Sequence, residues 1–294
     1  MAETRLVVEE VGALALVQDL GRPGHAALGV TASGAADRGA LRLANRLVGN
    51  AEGAAAIEVL LGGLVLRATV PVTVAVTGAP VPLTVAGRPA ALYEPVQLAA
   101  GQSLVLGRPV HGLRSYVAVR GGLETERSLG SASTDLTSGL GPPPLQAGQG
   151  LAVDSSYVGD VRRSDVAGTH GASRGDLVLR AVLGPRDDWF TEEAVAVLGS
   201  TAWEVTHDSD RVGVRLSGPS LTRARTDELP SEGVVRGAVQ VPASGHPLVF
   251  FADHPTTGGY PVIAVVVDED TDRLAQARPG DRIRFQLRRH THGG

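Results

Sequence analysis

Short runs of alternating residues, separated by glycine and proline, limit the folds open to this chain more than any other feature. Val72, Val74 and Val76 alternate with threonine and alanine, and residues 282–288 alternate arginine or glutamine with isoleucine, phenylalanine and leucine. A period of two places alternate side chains on opposite faces of a β-strand. The 38 glycines and 18 prolines predict many tight turns between such strands. The pattern favours antiparallel sheets or barrels whose strands are apolar on one face, and it excludes a helical bundle.

Three short helices are predicted from residues that commonly cap or end helices. Asp37 can cap a helix that runs to about Val48, and Thr191 can cap Glu192–Leu198. The third candidate, Asp270–Ala277, ends before a Pro-Gly pair. Many strands with a few short helices predict a mainly β (β-rich α+β) fold.

The chain has 294 residues, a length that favours two domains. The stretch Asp154–Asp176 has few apolar residues and no clear periodicity, and it lies between two strand-like segments. We therefore predict an N-terminal lobe over residues 1–165 and a C-terminal lobe over residues 166–294. A long ordered loop within one domain is the alternative.

Composition excludes several kinds of chemistry. All 27 basic residues are arginine and cysteine is absent, so a Walker lysine, a Schiff-base lysine, biotin attachment and thiolate catalysis are excluded on this chain. A bound anion must be held by arginine, backbone N–H groups or a metal. The eight histidines lack metal-site spacing, so no transition-metal site is expected. The net charge of −4 argues against nucleic acid, and without an apparent signal peptide or spanning segment we expect a cytoplasmic protein.

Two loops in the first half are candidate binding segments. Gln18–Gly24 carries Arg22 between glycines and leads to Ser33–Asp37, at the start of the predicted helix, where free N–H groups can bind anions. The hydroxyl-rich segment Leu129–Asp135 can bind a carboxylate. The alternatives are a structural loop with Asp37 as an ordinary helix cap, and a series of serine and threonine turns.

The second half holds a third group of polar residues where apolar strands begin or end, as at the mouth of a pocket. Arg211 can bind a carboxylate or phosphate through two hydrogen bonds, and Gln240 and Gln276 can bind an amide. Gly258-Gly259 lets the backbone approach a ligand closely. The alternative is that Asp210-Arg211 and Glu232 form surface ion pairs of little energetic value.

Taken in order, these segments resemble the KipA/PxpC family, which is biotin-dependent carboxyltransferase-like or allophanate hydrolase subunit 2-like. The resemblance runs from about Leu6 to Phe285. It implies two cyclophilin-like β-barrel lobes with a few short helices, and a KipI/PxpB-like and a PxpA-like partner subunit. It also implies ATP-dependent opening of 5-oxo-L-proline to L-glutamate in the complex. The main segments that carry it are Gln18–Gly24, Ser33–Asp37, Leu129–Asp135, Ser209–Leu216, Ser231–Pro242 and Asp253–Pro261.

The roles that we assign combine this resemblance with chemistry. ATP with Mg²⁺ would act in the complex, without a covalent cofactor on this chain. The family often has methionine where Ala36 stands and glutamine where Arg186 stands, and the second change adds a charge near a possible pocket edge. The expected catalytic residues are Asp253, Gln240 and Gln276, and the expected substrate-binding residues are Arg211, Arg22, Ser33, Ser133, Glu232, Thr257, Gly258, Gly259 and Tyr260.

Two other functions remain open from the sequence. The chain can be a carboxyltransferase component that acts on a urea-like amide and is supplied by a biotinylated partner. It can also be a non-catalytic KipA-type protein that binds a kinase-inhibitor partner.

Overall fold

A computed structural model describes residues 4–154, 159–161 and 175–288. These residues form two compact units: the first contains 4–22, 33–154 and 159–161, and the second contains 23–32 and 175–288. The predicted boundary between residues 165 and 166 lies outside the described residues. Segment 23–32 groups with the second unit although it precedes most of the first in sequence.

The first unit contains two antiparallel sheets and one helix, α1 (Arg38–Leu47). Its strands are β1 Thr4–Glu10, β2 Leu14–Gln18, β3 Ala56–Leu60, β4 Val65–Ala68, β5 Val72–Gly78, β6 Leu83–Val85, β7 Arg88–Pro89, β8 Pro95–Leu98, β9 Ser103–Leu106, β10 Arg114–Val119, β11 Leu123–Glu124 and β12 Gly150–Val153. The seven-stranded sheet has the order β11-β12-β1-β4-β9-β6-β7, and the five-stranded sheet has the order β2-β3-β10-β5-β8.

The second unit is built around a closed barrel with the order β13-β20-β17-β18-β15-β14-β21, to which the two-stranded ribbon β16-β19 is added. Its strands are β13 Leu177–Leu183, β14 Trp203–Val205, β15 Gly213–Ser217, β16 Glu232–Gly233, β17 Ala238–Gln240, β18 Leu248–Phe250, β19 Thr257–Gly258, β20 Val262–Val266 and β21 Arg282–Arg288. Its α-helices are α2 (Glu192–Ser200) and α3 (Asp268–Leu274), and short 3₁₀ turns cover Ala26–Leu28 and Asp187–Trp189.

The predicted mainly β fold with a few short helices is confirmed. Strand β21 keeps the predicted alternation, since Ile283 and Phe285 are buried while their arginine neighbours are exposed. Strand β5 does not, because Val74, Ala75 and Val76 are all buried. Helix α1 packs against the second face of β5 and β10 and covers Ala75, so the expectation of one apolar face is wrong for this strand.

The capping predictions for the first two helices are confirmed. Asp37 accepts a hydrogen bond from the Ala40 N–H at 2.8 Å, and Thr191 accepts one from the Ala194 N–H at 3.2 Å. Helix α3 begins two residues earlier than predicted, with Val267 at its N-cap and no side-chain cap. No helix among the described residues is long and apolar enough to cross a membrane.

Candidate functional site

A buried ion pair in the second unit joins two of the predicted site residues. The Arg211 Nε donates to Asp253 Oδ2 at 2.7 Å and its Nη2 donates to Oδ1 at 3.0 Å, while the Asp253 N–H donates to the Arg211 carbonyl at 2.8 Å. The two side chains are only 6% and 1% exposed. The alternative interpretation, a surface pair between Asp210 and Arg211, is wrong, because Asp210 instead accepts the N–H groups of the following turn.

Strands β16 and β19 form a short antiparallel ribbon that brings further predicted residues together. Glu232 pairs with Gly258, and Gly233 pairs with Thr257. Thr257, Gly259 and Tyr260 are exposed at the end of this ribbon. The segment 257–260, which we call the glycine loop, therefore presents the backbone of Gly259 to solvent.

Gln240 lies directly beneath the glycine loop. Its side chain is 2% exposed, and its Nε2 donates to the Tyr260 carbonyl at 2.8 Å. A Cβ atom at Gly258 would lie 2.5 Å from that Nε2, so any other residue there would require the Gln240 amide to shift. Gly258 thus makes a close approach to a side chain of the same chain, and the predicted approach of its backbone to a ligand stays a prediction.

Arg186, which the sequence marks only as a departure from the family, binds the carboxylate of Glu232. Its Nε lies 3.0 and 3.1 Å from the two Glu232 oxygens, and its Nη2 also donates to Oε1. These hydrogen bonds hold the pKa of Glu232 below its ordinary value, against the opposing effect of partial burial. Both side chains are half-buried, so the pair is neither a free surface contact nor a core one.

His254 follows the buried pair and precedes the glycine loop. Its Nδ1 lies 2.7 Å from the Pro255 carbonyl, and its ring is 6.0 Å from that of Phe250. Burial lowers the pKa of His254 below its ordinary value, an effect that the hydrogen bond to Pro255 partly opposes. Gln276 lies just after α3, half-buried, with its N–H donating to the Arg273 carbonyl.

In the first unit, Asp19 organises the hydroxyl-rich segment. Its Oδ1 accepts hydrogen bonds from the hydroxyls of Ser131 and Ser133, both at 2.6 Å, and from the Gly21 N–H at 2.8 Å. Its Oδ2 accepts the Ala132 N–H at 2.7 Å. The Ser133 hydroxyl is therefore bound to Asp19, and this contact supports the turn interpretation of the segment.

Arg22 is 2% exposed and is held by two backbone carbonyls, one just before the hydroxyl-rich segment and one within it. Its Nε donates to Ser128 at 3.3 Å and its Nη2 donates to Ser133. Ser33 adopts a left-handed conformation with φ of 51°, and its hydroxyl lies 3.5 Å from the Thr134 carbonyl. These contacts tie the first predicted loop to the second within the first unit.

A second buried carboxylate in this unit, Glu58, is not among the predicted site residues. Glu58 accepts the Tyr116 hydroxyl at 2.7 Å and the Ala36 N–H at 2.9 Å, and it pairs with Arg114 at 3.4 Å. Burial and then the charges of Glu58 and Asp37 raise the pKa of Tyr116 well above its ordinary value. Because 58 residues separate Glu58 from Tyr116, no local pattern could have paired them.

The described residues contain no group of three or more histidine, aspartate or glutamate side chains placed to hold a metal ion. A cavity of about 370 Å³ lies in the first unit. Its lining includes Asn50, Gly121, Arg127 and Asp154, none of which is among the predicted site residues.

Comparison with known proteins places the chain among carboxyltransferase-like proteins. The family model described as carboxyltransferase domain, subdomain A and B, matches residues 28–287. The chain is 37% identical over 280 residues to the C subunit of 5-oxoprolinase from Haemophilus influenzae, covering 94% of this chain and 89% of that protein. It is 36% identical over 283 residues to the corresponding C subunit from Escherichia coli, covering 95% and 90%. The crystal structure of the K. lactis urea amidolyase is similar with a TM-score of 0.91 and 30% identity, covering 97% of this chain and 19% of that one.

Proposed function

We propose a function for this chain from its family, because the chain belongs to the family of the carboxyltransferase domain, subdomain A and B. Within that family, our proposal is that it is the C subunit of an ATP-dependent 5-oxoprolinase. It would contribute, with a KipI/PxpB-like and a PxpA-like subunit, to the opening of 5-oxo-L-proline to L-glutamate. The observation that supports this most is the near full-length match to two proteins named as the C subunit of 5-oxoprolinase.

The proposed reaction requires the protein to bind a small lactam. Opening the ring adds water across the amide C–N bond and leaves a carboxylate and an ammonium group. The amide is resonance-stabilised, so donors that polarise its carbonyl and acceptors that hold its N–H in place lower the barrier.

We assign these tasks to the second unit. The exposed residues of the glycine loop would offer backbone N–H groups to a carbonyl oxygen, while the nearly buried Gln240 amide would act from beneath by holding the loop at the Tyr260 carbonyl. The Arg211–Asp253 pair would support the loop, because Asp253 lies in the segment just before it and is held in place by Arg211. Asp253 and Arg211 then act as positioning residues, and Gln276 remains a proposed amide-binding residue.

ATP with Mg²⁺ fits the two predicted arginines, Arg211 and Arg22, poorly, and it fits Arg186 no better. Arg211 is bound to Asp253 and Arg186 to Glu232, while Arg22 is buried against backbone carbonyls. A phosphate cradle built from these three arginines would have to break these bonds, and the chain has no lysine to replace them. We therefore propose that the nucleotide is bound by a partner subunit, and we derive no step through it.

The test is an ATPase assay of the complex co-purified with both candidate partners, with and without 5-oxoproline. The proposal predicts ATP turnover that rises on addition of 5-oxoproline and that falls when Gln240 is changed to alanine. ATP turnover that 5-oxoproline does not stimulate, with all three chains present, rejects the assignment.

A second candidate function is carboxyl transfer to a urea-like amide, favoured by the similarity to the K. lactis urea amidolyase. Because this chain lacks lysine, biotin would have to arrive on another protein. To test this second function, the complex is supplied with a carboxylated biotin carrier protein and urea. Urea-dependent loss of the carboxyl group from biotin, without turnover of 5-oxoproline, would favour this function over the first.

A further inference from the structure

We propose that Arg186 is a positioning residue that holds the glycine loop in place through Glu232, and that this hold sets the affinity of the site for its small amide substrate. The first part concerns the chain alone. The second rests on the function proposed above.

The backbone of Arg186 is attached to the strand that leaves the glycine loop. The Arg186 N–H donates to the Val262 carbonyl at 3.2 Å, and the Gly184 N–H donates to the Ile263 carbonyl at 2.9 Å. A Cβ atom at Gly184 would lie 2.4 Å from the Val262 carbonyl, so this segment runs directly against the start of β20. One attachment of Arg186 therefore lies immediately after residues 257–260.

The side chain of Arg186 is attached to β16, the strand that pairs with β19 of the glycine loop. It binds both oxygens of Glu232, and Glu232 pairs with Gly258 in the β16–β19 ribbon. A single residue thus spans the glycine loop, holding Val262 with its main chain and the partner of Gly258 with its side chain. Breaking the side-chain contact leaves the short ribbon, whose strands have only two residues each, without this support.

The geometry of this pair differs from that of an ordinary surface ion pair. Exposed pairs contribute little because two flexible side chains must be ordered in high dielectric. Here the arginine fork contacts both carboxylate oxygens, and the side chains of Arg186 and Glu232 are only 36% and 31% exposed. The position of Gly258, and therefore its contact with the Gln240 amide on β17, depends on where this ribbon lies.

The first test measures hydrogen exchange of residues 257–260 in the purified chain, without partners or substrate. Arg186→Gln and Glu232→Gln should each increase exchange there by about fivefold, the loss expected for one charge-assisted contact. The reversed pair, Arg186→Glu with Glu232→Arg, should restore protection. The control is Asp176→Asn, which breaks a pair with Arg284 of similar exposure on β21, outside the ribbon. Unchanged exchange in Arg186→Gln overturns the proposal.

The second test uses the complex of all three chains. Arg186→Gln should raise the KM for 5-oxoproline by about fivefold and change kcat by less than about twofold, because binding geometry rather than chemistry is lost. A purely structural role would lower kcat with the folded fraction and leave KM unchanged, which contradicts the proposal. If the wild-type complex does not turn over 5-oxoproline, the proposed function fails, and the exchange measurement still decides whether Arg186 holds the loop.

Discussion

Asp253 and Arg211 form a buried ion pair, and each charge compensates the free-energy cost of removing the other from water. Both are more than nine-tenths buried, so removing one charge leaves the other uncompensated in a medium of low polarity. A substitution of Asp253 can therefore act through stability or through catalysis, and the two effects are measured separately.

Asp253→Asn should lower the free energy of unfolding by about 3–5 kcal/mol, because the Arg211 guanidinium would stay buried without its counter-charge. Urea denaturation followed by circular dichroism measures this. Asp188→Asn is the control, since the Asp188–Arg225 pair is half-exposed and its loss should cost less than about 1 kcal/mol. A variant as stable as wild type but inactive in the complex would show that the carboxylate acts in catalysis.

The β16–β19 ribbon has one glycine in each strand, Gly258 and Gly233. Substituting each in turn distinguishes the effect of the close approach to Gln240 from an effect on the ribbon itself. Gly258→Ala places a methyl group against the Gln240 amide, and we expect a loss of about 1–3 kcal/mol in stability and of the Gln240–Tyr260 hydrogen bond. Gly233→Ala, at the neighbouring position in the partner strand, meets nothing within 4 Å and should be nearly neutral. Thermal unfolding of both variants tests this, and equal effects would contradict the close approach at Gly258.

The Asp270 carboxylate connects helix α3 to Arg180 of β13, and its pKa is lowered. Asp270 accepts hydrogen bonds from the Arg180 N–H at 2.7 Å, Nε at 3.0 Å and Nη2 at 2.9 Å. Burial alone would raise the pKa of Asp270, but these hydrogen bonds outweigh it and hold the pKa below its ordinary value.

Because the folded pKa lies below the unfolded one, the stabilisation is complete above about pH 5 and is lost as pH falls through the lowered value. Unfolding free energies measured across the acidic range should therefore decline in wild type. Asp270→Asn and Arg180→Gln should each flatten that decline, and an unchanged slope in both would refute the coupling.

Across the whole molecule, local signals predicted the elements well and long-range pairs poorly. Asp37 and Thr191 cap their helices through residues three positions away, and the β21 alternation follows from its own strand. Arg186 and Glu232 are 46 residues apart, and Arg211 and Asp253 are 42 apart. Such partners are set by strand order and register, which no short motif encodes.

The same reason limits what could be said of the site. Gly258 and Gln240 were selected because glycine and amide chemistry suit a small ligand, but their contact with each other depends on the ribbon. Ser133 was selected for its hydroxyl, and only the folded arrangement shows that hydroxyl bound to Asp19. Residue type identified these positions, and topology determined their partners.

The proposed role of the whole chain, as a necessary subunit of a 5-oxoproline-opening enzyme, is tested most directly by glutamate formation from 5-oxoproline and ATP. The measurement compares the two partner subunits alone with the same subunits after this chain is added. The account predicts glutamate only when all three chains are present. Equal glutamate formation without this chain, or none with it, would contradict the account.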